Sequence, residues 1–208
     1  MEGKNVTIEY RDAEGKSERL AALAAELVAL KVDVILGGGG TAGALALKRA
    51  TTTVPIVFGA VGDPVSEGVV SSLARPGGNL TGLAINSPEI TGKAIELLEQ
   101  GVPGANRVAL LVKPDSVPAP VLNERGKVWD RQARALGMRL QVVHARGAED
   151  FDGAFSAMVK ARADVLTVLG TPLFDGERRR LAELSSKYRL PTVYSFSFRK
   201  RKSENWTF

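Results

Sequence analysis

Residues 32–43 read VDVILGGGGTAG and indicate the architecture of the chain. Residues 32–36 are mostly apolar and β-branched, which predicts a short buried strand. The four glycines that follow predict a sharp turn, and residues 41–50 have the apolar spacing of a helix. A strand joined to a helix by a glycine turn is half of a βαβ unit, so this stretch indicates a parallel sheet covered by helices.

The same alternation of strands and helices extends along the chain in both directions. Period-two or buried apolar patterns predict strands, and apolar residues at helical spacing predict helices. The predicted strands are 6–10, 32–36, 55–60, 108–112, 140–145, 165–169 and 192–196. The predicted helices are 17–28, capped by Ser17, then 41–50, 66–74, 90–100, 121–136, 150–162 and 176–188. This alternation fits either one doubly wound sheet or two sheets of about four strands.

Composition excludes several classes of function. The chain has 208 residues with no Cys and a single His, His144, which excludes disulfides, thiolate metal sites and multi-histidine metal centres. G-x-S-x-G, P-loop and H-E-x-x-H motifs are also absent, so the sequence favours binding over catalysis and predicts neither metal nor cofactor. No apolar run reaches the ~18–20 residues that a membrane-spanning helix needs. The first residues, MEGKN, contain no apolar export signal.

The net charge of +5 does not indicate a nucleic-acid partner. Four of the 28 bases and one of the 23 acids lie in the last ten residues, so the remaining 198 residues carry only +2. A nucleic-acid footprint would instead form a basic face on the fold. Residues 199–208 have no helical or strand periodicity, which favours a shifted reading frame or vector remnant over a basic partner-binding tail.

The glycine turn is the first candidate site. Gly38, Gly40 and Gly43 satisfy G-x-G-x-x-G between a predicted strand and a predicted helix. The backbone N–H groups of a helix N-terminus have no intrahelical acceptor, so the turn is suited to a phosphate or a carboxylate. The alternative is a glycine turn that serves only tight packing between strand and helix.

Three further loops follow predicted strands at the same edge of the sheet, where ligands bind in doubly wound folds. Asp63 lies between Gly62 and Pro64 after the strand 55–60, and the alternative is that it caps the next helix. The loops after strands 108–112 and 165–169 could also be plain turns. Their candidate contacts are Asp115, Ser116, Thr171 and Pro172.

Four segments carry a resemblance to a known family. Residues 2–11 (EGKNVTIEYR), 57–65 (VFGAVGDPV), 73–82 (LARPGGNLTG) and 190–194 (LPTVY) resemble the substrate-binding proteins of ABC importers. Within that family, the chain is similar to the group whose characterised members bind tryptophan or tyrosine. The resemblance implies a type I periplasmic-binding fold, an α/β fold of two Rossmann-like lobes with parallel sheets and a ligand cleft between them.

The resemblance also implies domain boundaries. Residues 1–86 form lobe one, residues 87–196 form lobe two, and residues 197–208 are a basic tail unrelated to the family. Family members begin earlier, with an export signal, a strand and a helix, and they continue past the Leu-Pro-x-x-Tyr strand. The resemblance therefore implies that lobe one is incomplete and that the first crossing between lobes lies at residues 83–88.

By the same resemblance, the protein is a solute-binding component of an importer, not an enzyme, and its solute is an amino acid with aromatic side chains favoured. The N–H groups at Gly39, Gly40 and Thr41 would bind the carboxylate, and Asp63 the ammonium group. The other expected ligand contacts are Ser87 at the crossing and, from lobe two, Asp115, Ser116, Thr171 and Pro172. A match for both charges is needed because a buried zwitterion loses several kcal/mol of solvation per charge.

The expected partners are a small-molecule ligand and ABC permease subunits. The protein would be a monomer, either periplasmic or lipid-anchored outside the inner membrane. The alternative from another class is a nucleotide-binding Rossmann-type enzyme that uses Gly38, Gly40, Gly43 and Asp63.

Overall fold

Two separate parallel sheets organise the chain. The structure, a computed structural model, describes residues 3–85 and 87–194, without the side chains at positions 87 and 88. One sheet has three strands and the other has four, and every strand pair in both is parallel. This arrangement decides the sequence-level ambiguity in favour of two sheets. The predicted tail at residues 197–208 lies outside the described residues.

Lobe one contains the three-stranded sheet. Its order is β1-β2-β3, with Ile35 opposite Ile56 and Ile56 opposite Leu80. Helix α1 follows a short 3-10 turn and packs on α2, and their apolar faces cover the sheet. The elements are the 3-10 turn Ser17–Arg19, α1 Leu20–Ala29, β1 Ile35–Gly37, α2 Gly40–Ala50, β2 Ile56–Val61 and β3 Leu80–Ala84.

Lobe two contains the four-stranded sheet in the order β5-β4-β6-β7. Residues 108–112 of the central strand β4 are completely buried, as expected for a parallel strand that is covered on both faces. The elements are α3 Ser87–Gly101, β4 Arg107–Val112, α4 Ala119–Ala135, β5 Arg139–His144, the 3-10 turn Ala148–Asp150, α5 Phe151–Lys160, β6 Val165–Val168, α6 Pro172–Gly176, α7 Arg178–Lys187 and β7 Thr192–Tyr194. No described helix has the length and apolar character required to cross a bilayer.

Two predicted elements are wrong. Residues 6–10 contain one isolated bridge residue, Val6, and no strand, because none of the described strands pairs with them. Val6, Ile8 and Tyr10 are therefore exposed. Residues 66–74 form turns, not a helix. Gly68 has φ +75°, and the N–H groups of Val69 and Val70 both donate to the Pro64 carbonyl, which closes the chain into a turn.

The structure explains two residues of the LARPGGNLTG segment, Asn79 and Gly82. The Asn79 side chain donates from Nδ2 to the carbonyls of Thr51 and Val54, at 3.2 and 2.7 Å, and so fixes the loop before β2. Gly82 lies in β3, a strand that the sequence analysis missed. A Cβ atom at Gly82 would overlap the carbonyl oxygen of Phe58 in β2, so the strands can pair here only with glycine.

Candidate functional site

A cleft of about 490 Å³ lies between the two lobes. Part of its wall comes from the loops that follow β1, β2 and β3 of lobe one and β4 and β6 of lobe two, that is, from the carboxyl ends of parallel strands. The rest comes mainly from residues 11–27, which include the first turns of α1. The sequence analysis placed the candidate loops at this edge. The volume lies within the range of small-molecule sites.

The N-terminus of α2 forms one wall of the cleft. Gly39 is the N-cap residue without a side-chain cap, and Gly40 begins the helix with φ +63°, a conformation that favours glycine. The N–H groups of the first helical turn have no acceptor within the helix, and they carry the positive end of its dipole. A Cβ at Gly40 would lie 4.0 Å from Pro172 Cδ, so this helix end lies close to lobe two.

A buried carboxylate, Glu67, binds partners in both lobes. It accepts hydrogen bonds from the Thr41 hydroxyl and the Asp63 N–H group (2.9 Å) of lobe one, and from the Arg125 guanidinium of lobe two. Glu67 is 3% exposed and Arg125 is 7% exposed, and both line the cleft. A buried charge is stable only when it is paired, so this ion pair favours the arrangement in which the two lobes are in contact.

Arg125 is buried because of its position on α4. It lies on the same helix face as Leu122, three residues before it, and Trp129 and Ala133, four and eight residues after it. An arginine on an otherwise apolar helix face was the sequence signal for a buried ion pair, and the sequence analysis did not use it. Glu67 lies in a turn and carries no comparable signal.

Lys113 makes a second polar contact between the lobes. Its ammonium group donates to the Ser17 hydroxyl of lobe one at 2.8 Å and to the Asp115 carboxylate at 2.6 Å. Lys113 is buried and lines the cleft. Burial by itself would raise the pKa of Asp115, but the hydrogen bonds from Lys113 and Ser17 outweigh it and lower that pKa. The Asp115 carboxylate is thus engaged within the protein.

The Asp63 carboxylate stabilises the turn beside the cleft. It accepts a hydrogen bond from the Ser66 N–H group at 3.2 Å. This contact resembles a helix cap, but the helix that Asp63 was expected to cap does not form. Burial would raise the pKa of Asp63, but the hydrogen bonds from Ser66 outweigh it and lower that pKa. Asp63 is not among the residues that line the cleft. Its role in binding an ammonium group stays a prediction.

Asp175, near the end of α6, lines the cleft. It differs from Asp63 and Asp115 in the contacts of its carboxylate. It is half-buried, and among the described residues its carboxylate has neither a hydrogen-bond nor an ion-pair partner. Burial raises its pKa to about 6, against a smaller opposing effect of the Arg178 charge. No sequence motif marks this residue.

The structure brings most of the predicted site residues into the cleft. Those that line it are Gly39, Gly40, Thr41, Ser116, Thr171 and Pro172. Asp63 and Asp115 do not line it, and the side chain of Ser87 lies outside the described residues. The cleft also has a broad apolar wall that could receive the hydrocarbon part of a solute, formed by Leu20, Leu23, Leu27, Leu36, Ile90, Val117 and Leu173.

Comparison with known proteins identifies the family. Residues 1–193 match the model of a family described as ABC transporter substrate binding protein. The chain therefore belongs to the ABC transporter substrate-binding proteins, as the sequence resemblance predicted, and this is a family of binding proteins.

A curated relative agrees with membership of this family. A tyrosine-binding protein from Clostridioides difficile (strain R20291) is 31% identical over 200 residues, which are 93% of this chain and 54% of that protein. The chain thus spans about half the length of this curated relative.

Solved structures confirm the fold as that of type I periplasmic-binding proteins. A conserved domain protein from Vibrio cholerae has a TM-score of 0.81 at 27% identity. An ABC domain in complex with L-Trp from Streptococcus pneumoniae has a TM-score of 0.79 at 20% identity. Each match covers 93% of this chain and 63% of the other chain. The predicted fold of two Rossmann-like lobes with parallel sheets is confirmed.

Proposed function

We propose that this chain is the solute-capturing part of an ABC importer and that it binds an amino acid, with aromatic side chains favoured, between its lobes. The observation that carries the proposal is the composition of the cleft. A helix N-terminus, buried charges from both lobes and an apolar wall meet in one space of about 490 Å³. The similarity to a tyrosine-binding protein supports the same solute class.

The carboxylate of the amino acid binds at the first turn of α2. The N–H groups at Gly39, Gly40 and Thr41 donate to it, and each charge-assisted hydrogen bond contributes about 1.5–3 kcal/mol. The apolar wall contacts the side chain of the solute. Since Ser116 and Thr171 approach from lobe two, a bound solute contacts both lobes and favours the closed arrangement.

The proposed function also includes a compartment, a partner and an oligomeric state. The chain acts outside the inner membrane, in the periplasm or held by a lipid anchor, and delivers its solute to permease subunits as a monomer without enzymatic activity. Family membership and the interlobe cleft support this role.

Calorimetric titration of the chain with the twenty amino acids tests the proposal. L-tryptophan, L-tyrosine or L-phenylalanine is expected to bind and to raise the melting temperature, because any ligand that prefers the native state stabilises it. NAD⁺ and ATP are the controls for the nucleotide-binding alternative. Stabilisation by a nucleotide, with no response to any amino acid, would refute the proposal.

Gly40→Ala tests the location of the site. A side chain at Gly40 strains a residue with φ +63° at the proposed carboxylate site, so amino-acid affinity is expected to fall at least about 10-fold. Gly153→Ala is the matched control, because Gly153 lies in α5 of lobe two with no atom within 4 Å of the added Cβ. Unchanged affinity in Gly40→Ala would exclude the α2 N-terminus.

A further inference from the structure

We infer that Asp175, rather than Asp63, receives the ammonium group of the bound amino acid. This inference rests on the proposed function and specifies how the cleft distinguishes an amino acid from a plain carboxylic acid. It assigns the two charges of the solute to different lobes, the carboxylate to α2 of lobe one and the ammonium group to α6 of lobe two.

The position of α6 supports this assignment. The Thr171 hydroxyl caps the helix by accepting the Phe174 N–H group at 3.3 Å, and Pro172 occupies its first turn. Pro172 is also the residue that lies against Gly40 at the N-terminus of α2. Asp175 lies one turn further along α6 and lines the same cleft. The proposed carboxylate site and Asp175 therefore lie on facing walls.

The other carboxylates of the cleft region are already engaged. Glu67 is paired with Arg125, and Asp115 is paired with Lys113. Asp12 lines the exposed part of the cleft and accepts the Glu14 N–H group at 2.7 Å. Of the acidic side chains that line the described cleft, Asp175 is thus the one whose carboxylate has no hydrogen-bond or ion-pair partner.

The electrostatics of Asp175 favour a cation. Burial disfavours the charged carboxylate and raises its pKa to about 6, while Arg178 on the neighbouring helix opposes this only in part. Among the cationic residues that line the cleft, Arg11 pairs with Glu26, Lys113 with Asp115 and Arg125 with Glu67, and Lys16 forms no ion pair with Asp175 among the described contacts. A solute ammonium group would supply the missing opposite charge and return the pKa of Asp175 toward its ordinary value.

The same geometry predicts discrimination between solutes. An amino acid would pair both of its charges, whereas its desamino counterpart would leave Asp175 unpaired in a partly dehydrated cleft. Sites with an unmatched buried polar group reject the analogue that lacks the matching group.

The experiment compares two solute series on four proteins. The solutes are L-tryptophan, L-tyrosine and L-phenylalanine, each with its desamino analogue, 3-indolepropionate, 3-(4-hydroxyphenyl)propionate or 3-phenylpropionate. The proteins are the wild-type chain, Asp175→Asn, Asp63→Asn and, as a matched control, Asp152→Asn. Asp152 lies on α5 and pairs with Arg180 at the surface. Calorimetry at pH 7.5 and pH 5 gives each affinity.

The expected result is specific to Asp175. The wild-type chain binds the amino acids at least about 10-fold more tightly than their analogues, and Asp175→Asn lowers amino-acid affinity about 10–100-fold while leaving analogue affinity unchanged or higher. Wild-type affinity for amino acids falls from pH 7.5 to pH 5 because protonation of Asp175 competes with the ammonium group, and the variant lacks this pH dependence. Asp152→Asn behaves as wild type.

Two outcomes would overturn the inference while leaving the proposed function in place. One is amino-acid affinity unchanged in Asp175→Asn, and the other is the selective loss of amino-acid affinity in Asp63→Asn instead. If the wild-type chain bound none of the amino acids, the proposed function would fail and the inference with it.

Discussion

The Glu67 carboxylate of lobe one and the Arg125 guanidinium of lobe two form a buried ion pair in the wall of the interlobe cleft. Glu67 is held from two further directions, by the Thr41 hydroxyl and the Asp63 N–H group. Because its donors come from both lobes, separation of the lobes would leave the Glu67 carboxylate and the Arg125 guanidinium without their ionic partners. The relative position of the lobes therefore depends on this pair as well as on the chain crossing between β3 and α3.

Removing one partner of this pair should be more harmful than removing both. Arg125→Met leaves Glu67 charged and buried, and we expect it to lower the free energy of unfolding by about 3–5 kcal/mol. Glu67→Gln in the same chain should restore much of that loss. Urea denaturation of the two single variants and the double variant measures the coupling. The surface pair Asp130–Arg134 is the control, with coupling below about 0.5 kcal/mol, and additive effects at Glu67 and Arg125 would contradict the assignment.

Asp175 should make the unliganded protein less stable as the pH rises. Its pKa is raised from 3.8 to about 6, so between these values the folded state holds a proton that the unfolded state has released. Stability contributed by this group is full below pH 4 and is lost as the pH rises through 6. A pKa shift of about two units corresponds to about 3 kcal/mol of unfolding free energy. Because solvent reaches the half-buried carboxylate, we expect about half of that loss, about 1.5 kcal/mol.

The comparison of Asp175→Asn with wild type isolates this contribution from the other carboxylates. The variant should gain about 1.5 kcal/mol relative to wild type between pH 4 and pH 7, measured by urea denaturation at both pH values. Asp152→Asn should show no such change. An equal difference between Asp175→Asn and wild type at both pH values would show that the Asp175 carboxylate is not buried in solution.

Gly82→Ala should destabilise lobe one by about 3 kcal/mol or more. The added methyl group overlaps the Phe58 carbonyl oxygen, and the two strands must separate to accommodate it. Gly153→Ala in α5 is the opposite case, because the added methyl group meets no atom within 4 Å and favours the helix by about 0.5–1 kcal/mol. Denaturation midpoints of both variants give the comparison, and similar midpoints would contradict the close approach of β3 to β2.

Asn79→Ala should cost about 1–3 kcal/mol, because it leaves the carbonyls of Thr51 and Val54 without the donor that they share. Asn123→Ala, at an exposed position of α4, should change stability by less than about 0.5 kcal/mol. Thermal denaturation of the two variants is sufficient for this test. A neutral Asn79→Ala would mean that water replaces the side chain without loss.

Sequence patterns predicted the strand-and-helix alternation well where packing within one lobe decides the structure. β4, β5 and β6 agree with their predicted bounds to within one residue. β4 and β6 are buried parallel strands, which read as mostly apolar runs. The strand β3 was missed because Thr81 and Gly82 interrupt its apolar pattern. The predicted helix 66–74 failed because Glu67 bonds back to Asp63 and Gly68 adopts positive φ, neither of which periodicity can reveal.

The parts of the site that lie at the end of a single strand were also predictable from the sequence. Glycines after a strand indicated the α2 N-terminus, and Thr171 and Pro172 were located by their place after β6. Glu67 and Asp175 required knowledge of which loops of different lobes meet, and a single lobe's sequence pattern does not contain that information. Arg125 alone was detectable, as a charge on an apolar helix face.

Among the described residues, the two lobes do not share a hydrophobic core. The buried cluster of lobe one, around Ile56 and Phe58, and that of lobe two, around Phe151 and Phe155, have no residue in common. Polar contacts between lobes are weaker carriers of cooperativity than shared apolar packing, so heat should melt the lobes in two steps. The amide protons of β4, the central and completely buried strand, should then exchange with solvent most slowly. The unfolding free energies predicted for Gly82→Ala and Asn79→Ala accordingly belong to lobe one, whereas the coupling of Glu67 and Arg125 belongs to the contact between the lobes.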